Sequence, residues 1–141
     1  MEVQKATVRD IEKLIPALRE LRPHRTEQEL REMLPPLFEQ GYEIAYIGDN
    51  TVAFAIAGFR ILDFLFSGRT LYLDDLITHP DHRKNGYAGK LLEWLKHFAK
   101  QNDIDHFSLD SGFQRKDAYR LYLNSGLEVE ALHFGRKVQD L

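Results

Sequence analysis

The chain has 141 residues, 43% of them hydrophobic and 29% charged, which fits one domain with a full core and excludes a disordered, collagenous or coiled-coil protein. Its 19 Lys+Arg against 22 Asp+Glu leave a formal charge of −3, so nucleic acid and anionic membrane are not expected partners, although a few backbone amides could still hold a nucleotide. The absence of cysteine excludes disulfide frameworks, thiolate zinc sites, iron–sulfur clusters and a cysteine nucleophile, and it fits a reducing cytoplasm.

Residues 1–8 alternate loosely as a strand with Val3 and Val8 apolar. Asp10 then precedes Ile11, Leu14, Ile15 and Leu18, the spacing of one helical face, with Pro16 expected to weaken or kink the helix. Thr26-Glu27-Gln28-Glu29 has the order of a capping box and opens a second helix through Leu30, Met33 and Leu34, which Pro35-Pro36 should bend or break before Gly41. Two β-rich runs, 42–47 and 51–59, flank Gly48-Asp49-Asn50, a hairpin signal because these residues tolerate positive φ. Residues 61–66 are unusually apolar for a loop; lining an acceptor pocket, making a homodimer contact and packing under the sheet edge all remain open. Another strand is expected at 71–78. Leu91, Leu92, Leu95, Phe98 and Ala99 then mark an amphipathic helix from Gly86 to about Gln101, with Trp94 and Phe98 beside its buried stripe. A strand at 104–109, a helix from Arg115 to Ser125 stopped by Gly126, and one or two closing strands within 127–138 complete the chain. Two strand–helix–strand crossovers, 71–109 and 104–134, imply locally parallel strands, and hence an α/β fold. No apolar run reaches the roughly 18–20 residues that span a bilayer, and no basic-then-apolar export signal opens the sequence. The expectation is one cytoplasmic domain over 1–141.

The segment from Leu71 to Leu92 leads a strand through a turn into a helix, and its chemistry follows from that shape. Gly86, Ala88 and Gly89 are small enough for a ligand to approach the backbone, while first-turn N–H groups and the positive helix end attract an anion such as a pyrophosphate. Arg83, Lys84 and Lys90 flank the turn and can add charge-assisted contacts. His79 and His82 with Asp81 invite a metal reading, but no further ligand stands at a recognisable spacing, so loop histidines near a phosphate site are the expectation.

Arg83-x-x-Gly86-x-Ala88, with Pro80 before it and Leu91-Leu92 after it, resembles the acetyl-coenzyme A signature of the GNAT superfamily of N-acetyltransferases. Ala118-x-x-x-Tyr122-x-x-x-Gly126-Leu127 resembles the same family's tyrosine-bearing helix and its glycine stop. The resemblance implies a mixed central sheet, partly antiparallel in its first half and flanked by about four helices. It also implies acetyl-CoA as co-substrate, contacted by Leu76, Ile77 and Thr78 on a splayed strand edge. The phosphate contacts it implies run through Arg83, Lys84, Asn85, Gly86, Tyr87, Ala88, Gly89 and Lys90. Arg115 stands where many relatives carry an Asn that touches the cofactor.

Acetyl transfer needs a deprotonated amine, a donor for the developing oxyanion and a proton for the departing thiolate. The resemblance places the oxyanion donor at the Leu76 backbone N–H and the proton donor at Tyr122, for which a packed core tyrosine is the alternative. Leu71-Tyr72-Leu73-Asp74-Asp75 is similar to the strand of diamine acetyltransferases, where a Glu-Asp pair follows Leu-Tyr-Leu, so Asp74 matches the base. Asp is one methylene shorter than Glu, which favours a water relay. Asp75 and Asp110 are the competing acids, assigned to substrate binding; Asp110 precedes Tyr122 at the spacing at which ribosomal-protein N-terminal acetyltransferases carry a glutamate. Adjacent strand residues point to opposite faces, so Asp74 and Asp75 can serve one substrate only across a bulge. For each acid, a capping or ion-pairing role is the competing reading. The expected reaction is direct transfer to the primary amine of a small molecule, or secondarily to a peptide or protein amine. A non-catalytic acyl-CoA sensor or interaction module is the alternative.

Overall fold

The computed structural model describes all of residues 1–141, and the chain forms two compact units, Met1–Leu109 and Asp110–Leu141. In the first unit, strands β1 (Gln4–Lys5), β2 (Glu43–Gly48), β3 (Ala53–Phe64), β4 (Gly68–Thr78) and β5 (His106–Leu109) make one sheet in that order. The pairings β1–β2, β2–β3 and β3–β4 are antiparallel, and β4–β5 is parallel. Helices α1 (Ile11–Leu21), α2 (Glu27–Glu39) and α3 (Tyr87–Gln101) belong to this unit, and α4 (Lys116–Asn124) to the second. The expected mixed α/β architecture with four helices is therefore present.

Strand alternation gives the sheet two apolar faces. Tyr42, Ile44, Tyr46 and Ile56 share a core with Ile11, Leu14, Leu18, Leu30 and Leu34 of α1 and α2. On the opposite face, Phe59 meets Trp94 and Phe98 of α3 edge-on, at ring-centroid distances of 6.4 and 5.5 Å, which confirms both aromatics as packing residues. Thr26 starts α2 as its spacing predicts: its hydroxyl accepts from the Glu29 N–H at 3.0 Å, and its own N–H donates to the Glu29 carboxylate at 3.1 Å.

Several elements depart from expectation. Pro16 lies inside α1, which runs on to Leu21, and Pro35 and Pro36 lie inside α2, which does not break there and runs on to Glu39. Burial of Leu14, Ile15 and Leu18 in one and Leu30 and Leu34 in the other offsets the lost backbone hydrogen bonds. The apolar run after residue 60 is largely strand: β3 continues to Phe64, paired with Gly68, so a packed loop under the sheet edge is not formed, and Leu65 and Phe66 are fully solvent-facing at the hairpin tip. β1 is only two residues long. In the second unit, α4 ends as the sequence indicates, with Gly126 at φ +94° and the Leu127 N–H donating to the Tyr122 carbonyl at 3.1 Å. No closing strand follows. Residues 127–137 find no ladder partner, and without one an alternating sequence cannot form a strand, so the second predicted crossover is absent.

Candidate active site

The parallel pairing of β4 with β5 stops at Leu73 opposite Leu109, while β4 continues to Thr78 bonded to β3 alone. Residues 74–78 therefore border β3 on one side and have no strand on the other. Where this edge begins, the β3–β4 register shifts: Phe59 faces Leu73 and Gly58 faces Asp75, leaving Asp74 as the extra residue of a bulge. Such a bulge lets two adjacent strand acids turn toward one face of the sheet. Asp75 lies beside Tyr42 of the α1/α2 core and Asp74 beside Arg60, two residues from Gly58 along β3.

Beyond Thr78, a 3-10 turn at Pro80–His82 leads to Gly86, which begins α3 in the left-handed region at φ +73°. Lys84 is also left-handed, at φ +66°. The turn is braced from inside: His82 stacks on Phe54 at 3.8 Å between centroids, and the Asn85 side-chain amide donates to the His82 carbonyl at 2.9 Å. The Cβ positions of Gly86 and Gly89 face open space, and the first amides of α3 have no acceptor within the helix. This is room and donor chemistry that fit a pyrophosphate such as that of coenzyme A. Arg83 and Lys84 are exposed on the turn, whereas the Lys90 ammonium donates to the Met1 carbonyl at 2.7 Å. His79 accepts from the Asp81 N–H at 3.2 Å through Nδ1, and no group of three suitable side chains gathers there around a metal position.

Both strand acids are ion-paired. Arg60 grips Asp74 with two bonds, at 2.8 and 3.2 Å. Burial pushes the Asp74 carboxyl above the usual carboxylate range, with the Arg60 guanidinium opposing the shift. Asp75 accepts from Arg22 Nη2 at 2.7 Å and Nε at 3.1 Å on one oxygen, and from the Tyr42 hydroxyl at 2.6 Å on the other. Burial first, then the neighbouring Asp75 charge, raises the Tyr42 phenol well above its ordinary value and keeps it a donor. Arg22, Tyr42 and Arg60 carry no motif. They lie 53, 33 and 14 residues from their acidic partners, so no local spacing could reveal them.

In the second unit, Tyr122 is partly buried on α4, and burial raises its phenol above the ordinary value against an opposing pull from Arg115. Asp110 lies 3.5 Å from His133 Nδ1.

An α/β sheet with an unpaired strand end, leading through a glycine-started turn into a helix, is the architecture that the sequence resemblance implies for an acetyltransferase. The chain belongs to the acetyltransferase (GNAT) family, which it matches over residues 10–127. It is 31% identical over 101 residues, 71% of each chain, to the uncharacterized N-acetyltransferase YhdJ of Bacillus subtilis (strain 168). In fold it is similar to the ribosomal-protein-alanine N-acetyltransferase of Brucella melitensis biovar Abortus 2308, with a TM-score of 0.82 at 18% identity over 97% of this chain and 99% of that one. It is also similar to the aminoglycoside N-acetyltransferase AAC(6')-Iy in complex with CoA, with a TM-score of 0.83 at 15% identity over 97% and 94%. The protein is thus an acetyl-CoA-dependent N-acetyltransferase that transfers an acyl group to an amine. No helix in it is long and apolar enough to cross a membrane.

Proposed function

We propose that the protein acetylates the primary amine of a small cytoplasmic molecule by direct attack in a ternary complex, with residues 1–141 acting as one functional domain. The observation that carries this reading is the unpaired end of β4 beside the open start of α3. Leu76, Ile77 and Thr78 offer their free edge to the pantetheine arm, and the amides from Gly86 to Gly89 meet the pyrophosphate, with Arg83 and Lys84 adding charge. The lack of any cysteine supports direct transfer, because no thiol is present to carry the acetyl group.

In the proposed step the amine nitrogen bonds to the acetyl carbonyl carbon and the carbon–sulfur bond breaks. The Leu76 N–H donates to the carbonyl oxygen as its charge grows. Asp74 accepts the ammonium proton through water; its upward shift makes it a better base than an ordinary Asp. The Tyr122 hydroxyl, kept protonated by burial, gives its proton to the departing sulfur. Asp110 supplies negative charge toward a cationic acceptor.

The test is thiol release from acetyl-CoA across a panel of small diamines, an aminoglycoside and peptides with free N-termini. Amine-dependent release with the small amines is expected. Release with peptides alone would overturn the acceptor class.

A further inference from the structure

Asp75 has a different task from the one its position suggests. Its side chain is 17% exposed, and its two oxygens already receive three donors, two from Arg22 and one from Tyr42. Arg22 Nη2 also donates to the Asp74 carbonyl at 3.3 Å, so one guanidinium spans the bulge residue and its neighbour. Arg22 caps the end of α1, with its N–H donating to the Leu18 carbonyl at 2.8 Å, which anchors the grip in the helical layer. The Tyr42 ring is 4% exposed and lies against Gly58, the residue opposite Asp75; a Cβ at position 58 would come within 1.8 Å of the Tyr42 oxygen. Four residues, from the end of α1, the start of β2, β3 and β4, thus converge on the point where β4 leaves its regular register.

We infer that Arg22, Tyr42 and Gly58 form a clamp that holds Asp75, and through it the Asp74 bulge, so that the Leu76 amide and the Asp74 carboxylate keep a fixed relation during acetyl transfer. In this arrangement Asp75 is a positioning residue that never touches the acceptor. The inference rests on the assignment of Leu76 and Asp74 made above, but the clamp itself is read from contacts on the α1/α2 side of the sheet.

Tyr42→Phe is the sharpest probe, since it keeps the ring over Gly58 and removes one donor. Because small misplacements of reacting groups cost up to about 100-fold, kcat is expected to fall about 10- to 100-fold while KM for acetyl-CoA stays put. Arg22→Met should do the same, and Arg22→Lys, which restores one contact to Asp75, should recover part of the loss. The double variant Tyr42→Phe/Asp75→Asn should be no worse than its poorer single variant, because the two residues act as one unit. Amide NMR shifts give a readout without turnover: those of residues 74–76 should move in Tyr42→Phe, and those of 86–89 should not. A purely structural role predicts lowered melting temperature with wild-type kcat below it, and that result would overturn the clamp. Unmoved shifts at 74–76 would overturn it as well. Inactivity of the wild type toward every small amine, by contrast, would remove the acceptor assignment while the NMR result still decided the clamp.

Discussion

The turn before α3 and the acid cluster on β4 sit at the two ends of one five-residue strand edge, yet they are built in opposite ways. The turn is made by neighbours in sequence: Gly86 and Lys84 adopt left-handed φ, Asn85 reaches back three residues to His82, and its glycines face open space. The acid cluster is made by distant residues, with Arg22 from the end of α1, Tyr42 from just before β2 and Arg60 from β3 brought onto Asp74 and Asp75, and its glycine is filled to contact. A backbone left open suits a ligand that arrives and leaves, whereas a cluster with every oxygen occupied suits parts that must not move. The same residue type therefore carries contrary meanings: Gly86 and Gly89 leave room for a guest, and Gly58 leaves room for Tyr42.

The largest expected effect lies on α4 and calibrates the other two regions. Tyr122→Phe keeps the ring and removes only the proton, so turnover should fall about 10²- to 10⁴-fold with acetyl-CoA affinity unchanged by calorimetry. Wild-type turnover in a chemistry-limited assay would return Tyr122 to a packing role. Next comes Gly58→Ala, which forces the Tyr42 hydroxyl from its place and should cost about 1–3 kcal/mol of stability by chemical denaturation, together with activity. The contrast between open and filled glycines breaks if this variant is as stable as wild type. The turn should answer differently at its two glycines. Gly86→Ala must hold a side chain at φ +73° and should lose about 1–2 kcal/mol. Gly89→Ala has free space within a helix and should gain up to about 1 kcal/mol, while acetyl-CoA affinity falls because the backbone is no longer bare. Unchanged affinity in Gly89→Ala would move the pyrophosphate elsewhere.

This contrast also explains what a reader of the sequence can and cannot see. The turn, the capping box at Thr26 and the stripe of α3 are local patterns, and the structure places each where its spacing indicates. The edge at Leu76 was legible only through a family resemblance, because the point where β5 stops pairing depends on two strands more than thirty residues apart. Arg22, Tyr42 and Arg60 were invisible: an arginine at a helix end and a tyrosine at a strand start are ordinary, and only the bulge at Asp74 turns them into partners. Of the bend or break that Pro35-Pro36 signals, the break does not occur: α2 runs on to Glu39, with local backbone chemistry outweighed by burial of Leu30 and Leu34. In the last thirty residues, the alternating pattern at 127–138 signals a strand that has nothing to pair with.

The smallest effect concerns what the cluster costs the fold. Burial raises the Asp74 carboxyl above its value in an unfolded chain, about 3.9, and Arg60 only partly offsets this. A carboxylate whose folded value is raised binds its proton more tightly when folded, so its contribution to stability is greatest below the unfolded value and is lost as pH climbs through the folded one. Asp74→Asn is nearly isosteric with the protonated acid. Below both values, wild type and variant should therefore have the same stability, with Arg60 unpaired in each. As pH rises across the window the wild type should fall behind, and above it the difference should stay constant, leaving Asp74→Asn the more stable and the less active protein at pH 7. Melting curves of the two proteins between pH 3 and pH 8 check this directly. A wild type that gains on the variant as pH rises would mean that the Arg60 pair outweighs desolvation, and Asp74 would then be an ordinary ion-pair carboxylate, poorly suited to accept a proton from an ammonium group.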